Sequence, residues 1–504
     1  MQKTIVKRDL RLVPISLEDF TRSPVLEKIW STATEYLAVL SNLSGPWRQS
    51  LRERSHLSKL TKEGLHCTRT LCSRRSPLTL RRHYAAHYRP DLPKIAPSAS
   101  KGRNRTRQAA IDCERAQAEN SHQRGASEKE APMTGLAPII TATIDYEDWL
   151  SRQVNVVEAD LRLKHRQMAS SLFAFLRATF YRWGPLWRET CPDLVDAPRV
   201  LAVGDLHVEN FGTWRDKEGR LVWGVNDFDE VARMPYAVDL VRLVTSAILA
   251  QSENRLAIDA SGAATAVLNG YTEFLEAGGK PFILEESHPH LREMALRAER
   301  DPLHFWSKLA ALHSATPPKR IQRLLRKSLP DPVENIEFLH RSAGEGSLGR
   351  PRYVATGSSN GGFVAREAKA WLPSAWGWAK GRPKERAYSV SLLKHSVRQP
   401  DPYYSVQDGW VVRRLGPHCG RIELTEFPRR RDEHLIVKDM GRETANLHLG
   451  TPDQRTNVLR DLSKRKPDWL INAAQSMASA TKRDWESFQS SELAMLGAHH
   501  PHAA

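Results

Sequence analysis

The chain has little cysteine: Cys67, Cys72, Cys113, Cys191 and Cys419 are the five in 504 residues. None forms a C-x-x-C pair or stands at zinc-binding spacing, which argues against a disulfide scaffold and a structural zinc site. Long apolar runs are also missing. The longest, near residues 240–250, is too short and too charged to span a bilayer. Residues 1–12 are polar and lack the apolar segment of a signal peptide. The expected location is the cytoplasm, with reduced thiols and no membrane partner.

The chain also lacks an even spread of charge. The net charge is +17, yet residues 1–132 carry 25 Lys and Arg against 13 Asp and Glu, and the remainder 50 against 45. The basicity thus belongs to a leader with clusters at Arg74-Arg75, Arg81-Arg82 and residues 101–107. A nucleic-acid partner is not expected except through this leader. Residues 98–130 are polar and almost without large apolar side chains, a composition that predicts disorder. Local helix is expected near residues 26–40. The composition changes abruptly before Met133, so Met133 is expected to be the physiological start, the leader being an over-extended reading frame. Mass spectrometry of the native N-terminus tests this.

Four segments follow from this pattern. They are the leader (1–132), a helix-rich part with a catalytic loop and a metal-binding hairpin (133–340), a β-rich glycine-loop nucleotide lobe (341–430), and C-terminal helices with a flexible tail (431–504). Hydrophobic residues make up 40% of the chain, enough for a proper core. Val157, Leu161, Met168, Leu172, Phe175 or Leu176, and Phe180 recur at helical spacing, and Gly184-Pro185 is expected to end that helix. Helices are expected near residues 236–250 and 257–276. Basic residues from Lys319 to Lys327 read as a solvated face, and the terminal His499, His500 and His502 as a floppy tail.

The chemistry concentrates in Gly204-Asp205-Leu206-His207-Val208-Glu209-Asn210-Phe211-Gly212 and Asn226-Asp227-Phe228-Asp229-Glu230. Residues 199–203, 211–214 and 221–225 read as strands, with a turn at 216–219. Phosphoryl transfer needs a carboxylate to orient an acceptor hydroxyl and take its proton. It also needs an amide oxygen and a second carboxylate to hold Mg²⁺ against the phosphates. Asp205, Asn210 and Asp227 supply these groups at suitable spacing. His207 either orients Asp205 or caps the loop. Asp229 and Glu230 suit a supporting place, and Asp239 a structural one at a helix start.

These residues resemble the G-D-x-H-x-x-N and D-F-D pattern of aminoglycoside-phosphotransferase-like and other kinase-like proteins. More closely, they resemble the DUF2252 family of bacterial proteins. There the two motifs precede a Pro and D-L-x-R-L, matched here by Pro235, Asp239, Leu240, Arg242 and Leu243. The resemblance implies Asp205 as the base and Asn210 and Asp227 as metal ligands.

A second constellation follows in the chain. Gly344-Glu345-Gly346-Ser347-Leu348-Gly349 is G-x-G-x-x-G, weak alone, but strands expected at 352–356 and 363–368 give it the setting of a phosphate-covering glycine loop. Gly344, Gly346 and Gly349 are the loop candidates. The family resemblance implies a Lys-Glu-Ala nearby; the chain has Arg366-Glu367-Ala368-Lys369. Strand alternation puts Arg366 and Lys369 on opposite faces, so one of them can meet ATP, and position favours Arg366. Residues 409–415 and 421–427 are expected to form a further hairpin, and residues 435–447 an amphipathic helix.

The expected fold is α+β, a kinase-like two-lobe fold with its catalytic half before its nucleotide lobe, a circular permutation. The expected function is an ATP/Mg²⁺ phosphotransferase acting on an unidentified hydroxyl acceptor. A pseudokinase-like nucleotide binder and a dinuclear metallophosphoesterase are the alternatives, the second weakened by the lack of a downstream Gly-Asn-His element.

Overall fold

The computed structural model describes residues 136–498 except 286, 297–300, 383–387 and 425–431. The leader, its expected disorder, the Met133 start and the terminal histidines lie outside the described residues. The chain is mixed α+β, with small antiparallel sheets set among many helices.

The described residues begin with four helices: α1 (Ile139–Gln153), α2 (Glu158–Ser170), α3 (Leu172–Ala178) and α4 (Phe180–Thr190). The apolar stripe expected to form one long helix is thus cut at Ser171 and Thr179. Ser171 leaves the helical conformation, and its hydroxyl caps α3 by accepting from the Ala174 N–H at 3.0 Å. Gly184 and Pro185, expected as a stop, lie inside α4. Burial of Tyr181, Trp183, Leu186 and Trp187 in the core outweighs the hydrogen bond that Pro185 cannot donate.

Strands β1 (Arg199–Ala202), β2 (Phe211–Arg215), β3 (Leu221–Val225) and β4 (Ala232–Pro235) follow. β2 and β3 form the expected hairpin, from Phe211 opposite Val225 to Arg215 opposite Leu221. Asp216 closes its turn by accepting from the Arg220 N–H at 2.9 Å. β1 pairs instead with β4, antiparallel. Helices α5 (Ala237–Ser252) and α6 (Ala260–Ala277) come next. α5 is buried nearly all round, and the main core surrounds it.

The next elements are β5 (Phe282–Ile283), α7 (Pro289–Ala295), α8 (Pro302–Ala310) and α9 (Lys319–Ser328). α8 starts where Asp301 accepts from the Leu303 N–H at 2.7 Å and Pro302 presets the first turn. The charged face of α9 is exposed, and its Ile321 and Leu325 are buried.

Then come β6 (Glu334–His340), β7 (Arg352–Ser359), β8 (Gly362–Ala370), α10 (Ala375–Ala379), α11 (Ser389–His395), β9 (Ser405–Gln407), β10 (Trp410–Leu415) and β11 (Gly420–Arg421). A five-stranded sheet has the order β6-β7-β8-β10-β9. It is covered on one face by Ile321 and Leu325 of α9, against Ala355, Ala368 and Val412. Leu309 of α8 packs on the other face, against Leu339, Val354, Ala365 and Leu415. Among the described residues the expected hairpin of 409–415 with 421–427 does not form; 425–427 lie outside them. β10 pairs with β8 and β9, whereas β11 crosses to β2 and extends the order β11-β2-β3-β5.

Helices α12 (Glu433–His448), α13 (Arg455–Leu462), α14 (Trp469–Gln489) and α15 (Glu492–Ala498) complete the described chain. Asp432 caps α12, accepting from the Leu435 N–H at 3.0 Å. Among the described residues no helix is long and apolar enough to cross a membrane.

Candidate functional site in the cleft between the 203–210 loop and the five-stranded sheet

Residues 203–210 join β1 to β2, and backbone geometry explains their composition. Gly204 has φ +82°, and a Cβ there would meet the Glu230 carbonyl at 2.7 Å and Phe180 at 2.8 Å. Only glycine fits such a turn. Asp239, in the first turn of α5, accepts from the Val203 N–H at 2.7 Å and the Gly204 N–H at 2.8 Å. His448 Nε2 stands 2.9 Å from the same carboxylate, and its Nδ1 is 2.8 Å from the Tyr271 hydroxyl. Asp239 is therefore the buried anchor of the loop.

Three residues after Asp239, Arg242 points the same way. Its Nε and Nη2 bind Asp205 Oδ1 at 3.0 and 2.5 Å. The other oxygen, Oδ2, faces Gly346: a Cβ built there would lie 3.3 Å from it. Burial raises the Asp205 pKa above the ordinary carboxylate range despite the opposing charge of Arg242.

Asn210 braces the two motif loops. Its Nδ2 donates to the Asp205 carbonyl at 2.9 Å, and its Oδ1 accepts from the Asp227 N–H at 2.9 Å. One lone pair of that oxygen remains. His207 is buried, and its Nδ1 has no hydrogen-bond partner among the described residues. Burial, then the nearby charges of Arg177 and Arg242, hold its pKa well below the usual imidazole value, so the ring is neutral.

Lys369 reaches this loop from β8. Its Nζ lies 3.1 Å from Asp227 Oδ2 and 2.7 Å from Asp229 Oδ2. Asp227 sits within the cleft, where desolvation works to raise its pKa. Lys369, then Arg413, outweigh that and hold it well below the ordinary range, although 43% of the side chain is accessible. The accessible surface faces the cleft, where the neighbouring charges act on it with less screening than in bulk water. Asp229 is raised, by burial and then by Asp227. Arg350 ties Asp229 and Glu230 together at 3.2 and 3.1 Å.

The structure brings Asp205, His207, Asn210, Asp227, Gly344, Gly346 and Lys369 to one cleft. The first six line a small pocket of about 60 Å³ with Arg350. Arg366, favoured by position in the sequence, is on the opposite face of β8. There it donates to the Ser328 carbonyl at 2.8 Å and stacks 4.5 Å above the Tyr403 ring. Gly349 stands apart from the pocket, 3.4 Å from Leu161 by its notional Cβ. The glycine run is the connection between β6 and β7, with a tight turn at Glu345–Ser347, and not part of the β7–β8 hairpin. Sequence reasoning gave Asp239 a structural place at a helix start but not its hold on the loop, and missed the role of Arg242. Their signal was a spacing of three, which sets both on one helix face.

Asp227, Asp229 and the amide oxygen of Asn210 are oxygen donors of the kind Mg²⁺ accepts. The ammonium of Lys369 against both carboxylates marks a place that favours positive charge. No group of three or more His, Cys, Asp or Glu disposed to hold a metal occurs among the described residues, so the dinuclear reading gains no support here.

Fold and cleft thus define an α+β protein in which a braced carboxylate loop meets a lysine and a glycine loop from a separate sheet. Residues 156–328 match the family model described as "Uncharacterized protein conserved in bacteria (DUF2252)", which supports the resemblance to that family. The match takes in Asp205, Asn210, Asp227, Asp239 and Arg242 and ends before the five-stranded sheet. Comparison with curated proteins and with solved structures gives no match.

Proposed function

We propose that the protein is an ATP- and Mg²⁺-dependent phosphotransferase with a circularly permuted, kinase-like arrangement, acting on a hydroxyl acceptor. One observation carries this reading. Asp227 and Lys369 are 142 residues apart in sequence, yet their charged groups meet at 3.1 Å beside Asp205, Asn210 and the glycine loop. In this reading Arg242 fixes one oxygen of Asp205, and the other orients the acceptor hydroxyl and receives its proton. The raised pKa of Asp205 suits a proton acceptor better than an ordinary carboxylate. Asn210 and Asp227 would hold Mg²⁺, which when bound neutralises phosphate charge. Lys369 would meet the phosphates, and Gly346 lets backbone approach Asp205 where a side chain would crowd it.

Transfer of label from γ-labelled ATP, with binding measured in parallel, tests this. Asp205→Ala is expected to abolish turnover and retain Mg-ATP binding. Asp227→Ala is expected to weaken binding itself. Unchanged turnover in both variants refutes the assignment, and Mg-ATP binding without any turnover in the unaltered protein favours a nucleotide sensor.

A further inference from the structure

Beside the small pocket lies a larger cavity of about 520 Å³ that shares Asn210, Asp227, Gly344, Glu345 and Arg421 with it. Cations outnumber carboxylates on its wall: Arg341 just after β6, Arg352 from β7, Arg413 from β10, Arg421 and Lys308 of α8 line it, against Asp227, Glu345 and Glu423. The guanidinium groups of Arg341, Arg352 and Arg413 converge on one carboxylate, the fully buried Glu367 of β8. Arg341 meets it at 2.5 Å, Arg413 at 2.8 Å and Arg352 at 3.4 Å. One carboxylate balances one of the three charges. Arg341 and Arg413 keep 31% and 20% of their side chains accessible, so the surplus faces the cavity. Arg413 also donates to Asn226 at 3.0 Å, next to Asp227. Glu367 and Lys369 share one face of β8, roughly 7 Å apart at strand rise.

The apolar part of this sheet face is already used. Leu339, Val354, Ala365 and Leu415 are buried beneath Leu309 of α8, and Phe305 joins that cluster. Phe305 is packed edge-on against Trp306, with centroids 4.9 Å apart. The cavity thus presents forked donors suited to phosphate oxygens; of the apolar side chains on its wall, Leu348 and Leu415 are buried and Phe305 is half-buried and packed edge-on against Trp306, which leaves little flat apolar surface to grip a base.

We infer that this cavity recognises its ligand by a phosphate chain, through Arg341, Arg352 and Arg413 beside Lys369, and is indifferent to the base. Its ligand class is a polyphosphate, either the tail of a nucleoside triphosphate or an inorganic chain. The inference rests on the phosphotransferase reading only in naming that ligand the donor.

Competition binding on the full chain, at fixed salt and Mg²⁺, tests it with ATP, GTP, CTP, inorganic tripolyphosphate and adenosine. The three nucleotides are expected within about threefold of one another, and tripolyphosphate within about tenfold of ATP, because charge-assisted contacts dominate. Adenosine is expected not to compete. Arg341→Ala and Arg413→Ala are expected to weaken tripolyphosphate about tenfold or more, and Arg366→Ala, on the opposite face, to leave it unchanged. Should the arginine variants fail to fold, Lys308→Glu, at an exposed position on α8, is expected to weaken it about threefold or more. Adenosine competing as well as ATP overturns the inference, as does ATP binding without tripolyphosphate binding; the phosphotransferase reading survives both. Binding of neither ATP nor tripolyphosphate overturns the inference and the nucleotide reading together. Binding of both without transfer of label supports the inference and refutes catalysis.

Discussion

Asp239→Asn tests how the loop of residues 203–210 is held. The carboxylate is fully buried and accepts from the Val203 and Gly204 N–H groups and from His448. An amide keeps one acceptor and turns an NH₂ toward the remaining donors. In the better orientation the amide oxygen replaces Oδ2 and keeps Val203 and His448, while the Gly204 N–H is left facing a donor. A buried unsatisfied donor costs about 1–3 kcal/mol, and the surviving bonds lose their charge assistance, about 1 kcal/mol more. A loss of roughly 3 kcal/mol is expected, a large share of the 5–15 kcal/mol typical of a domain. Urea unfolding measures the total, and amide hydrogen exchange locates it. Exchange at Val203 and Gly204 is expected to quicken more than that of the β2–β3 hairpin. A midpoint unchanged to within about 0.5 kcal/mol refutes the anchoring argument. So does a loss of stability with no selective quickening at the loop.

Gly204→Ala is expected to cost about 3 kcal/mol or more: about 1–2 for the left-handed backbone, the rest from overlap with Glu230, Met234 and Phe180 at 2.7–2.8 Å. A soluble variant with a loss under about 1 kcal/mol in the same urea assay counts against that packing. Lys369→Met is expected to weaken Mg-ATP binding about tenfold or more, since it removes the cation beside Asp227 and Asp229, whereas Arg366→Met should leave binding intact. The opposite ranking in calorimetry would return the phosphate contact to Arg366. Burial lowers the pKa of Lys164 to about 8, so the folded chain sheds this proton before the unfolded chain does. Stability should therefore rise as pH climbs from 8 toward 10.5, the unfolded chain then binding more protons. Lys164→Met should remove that rise and gain at most about 3 kcal/mol at pH 7. Melting temperatures whose difference between the two proteins stays constant from pH 7 to 10 would refute it.

The sequence made local elements legible where one periodicity ran between clear turn residues. β2 and β3 flank a turn with Asp216 and Gly219, and α12 follows an Asp cap; both stand close to where pattern put them. Partners were less legible. β1 pairs with β4, a four-residue strand ending in Pro235, and β10 with β8, because pairing depends on which strand edges the helices leave open. The cut at Ser171 was hidden because apolar residues continue at helical spacing through it, so the stripe records burial and not continuity. Thr451 illustrates the same limit. It stands just before the turn that opens at Pro452 but does not cap it with its side chain, because its hydroxyl accepts from the Leu201 N–H at 2.8 Å, 250 residues away.

The site divides along the same line. That Asp205, Asn210 and Asp227 lie together was legible because one loop and one hairpin supply them. Arg366 and Lys369 were both named, but which of them faces the cleft was not legible, because it is a matter of strand parity. That parity is fixed by α9, which packs on Ala368 and Val412 and so turns the even-numbered side of β8, with Arg366, away from the cleft. A helix on the opposite face of the sheet therefore decides which cation meets the loop of residues 203–210. The arginines follow the same rule: Arg352 and Arg413 stand opposite Lys369 and Glu367 in the strand register, so they share the cleft face with Lys369. A one-residue slip of β8 would exchange Lys369 for Ala368 at the cleft and would turn Glu367 away from its arginines. The Glu367 cluster thus locks the register that presents Lys369. Glu367→Ala, which keeps the strand but removes the shared carboxylate, is expected to loosen that register and to shift exchange along β8. A variant with unchanged exchange along β8 would leave the register to α9 alone.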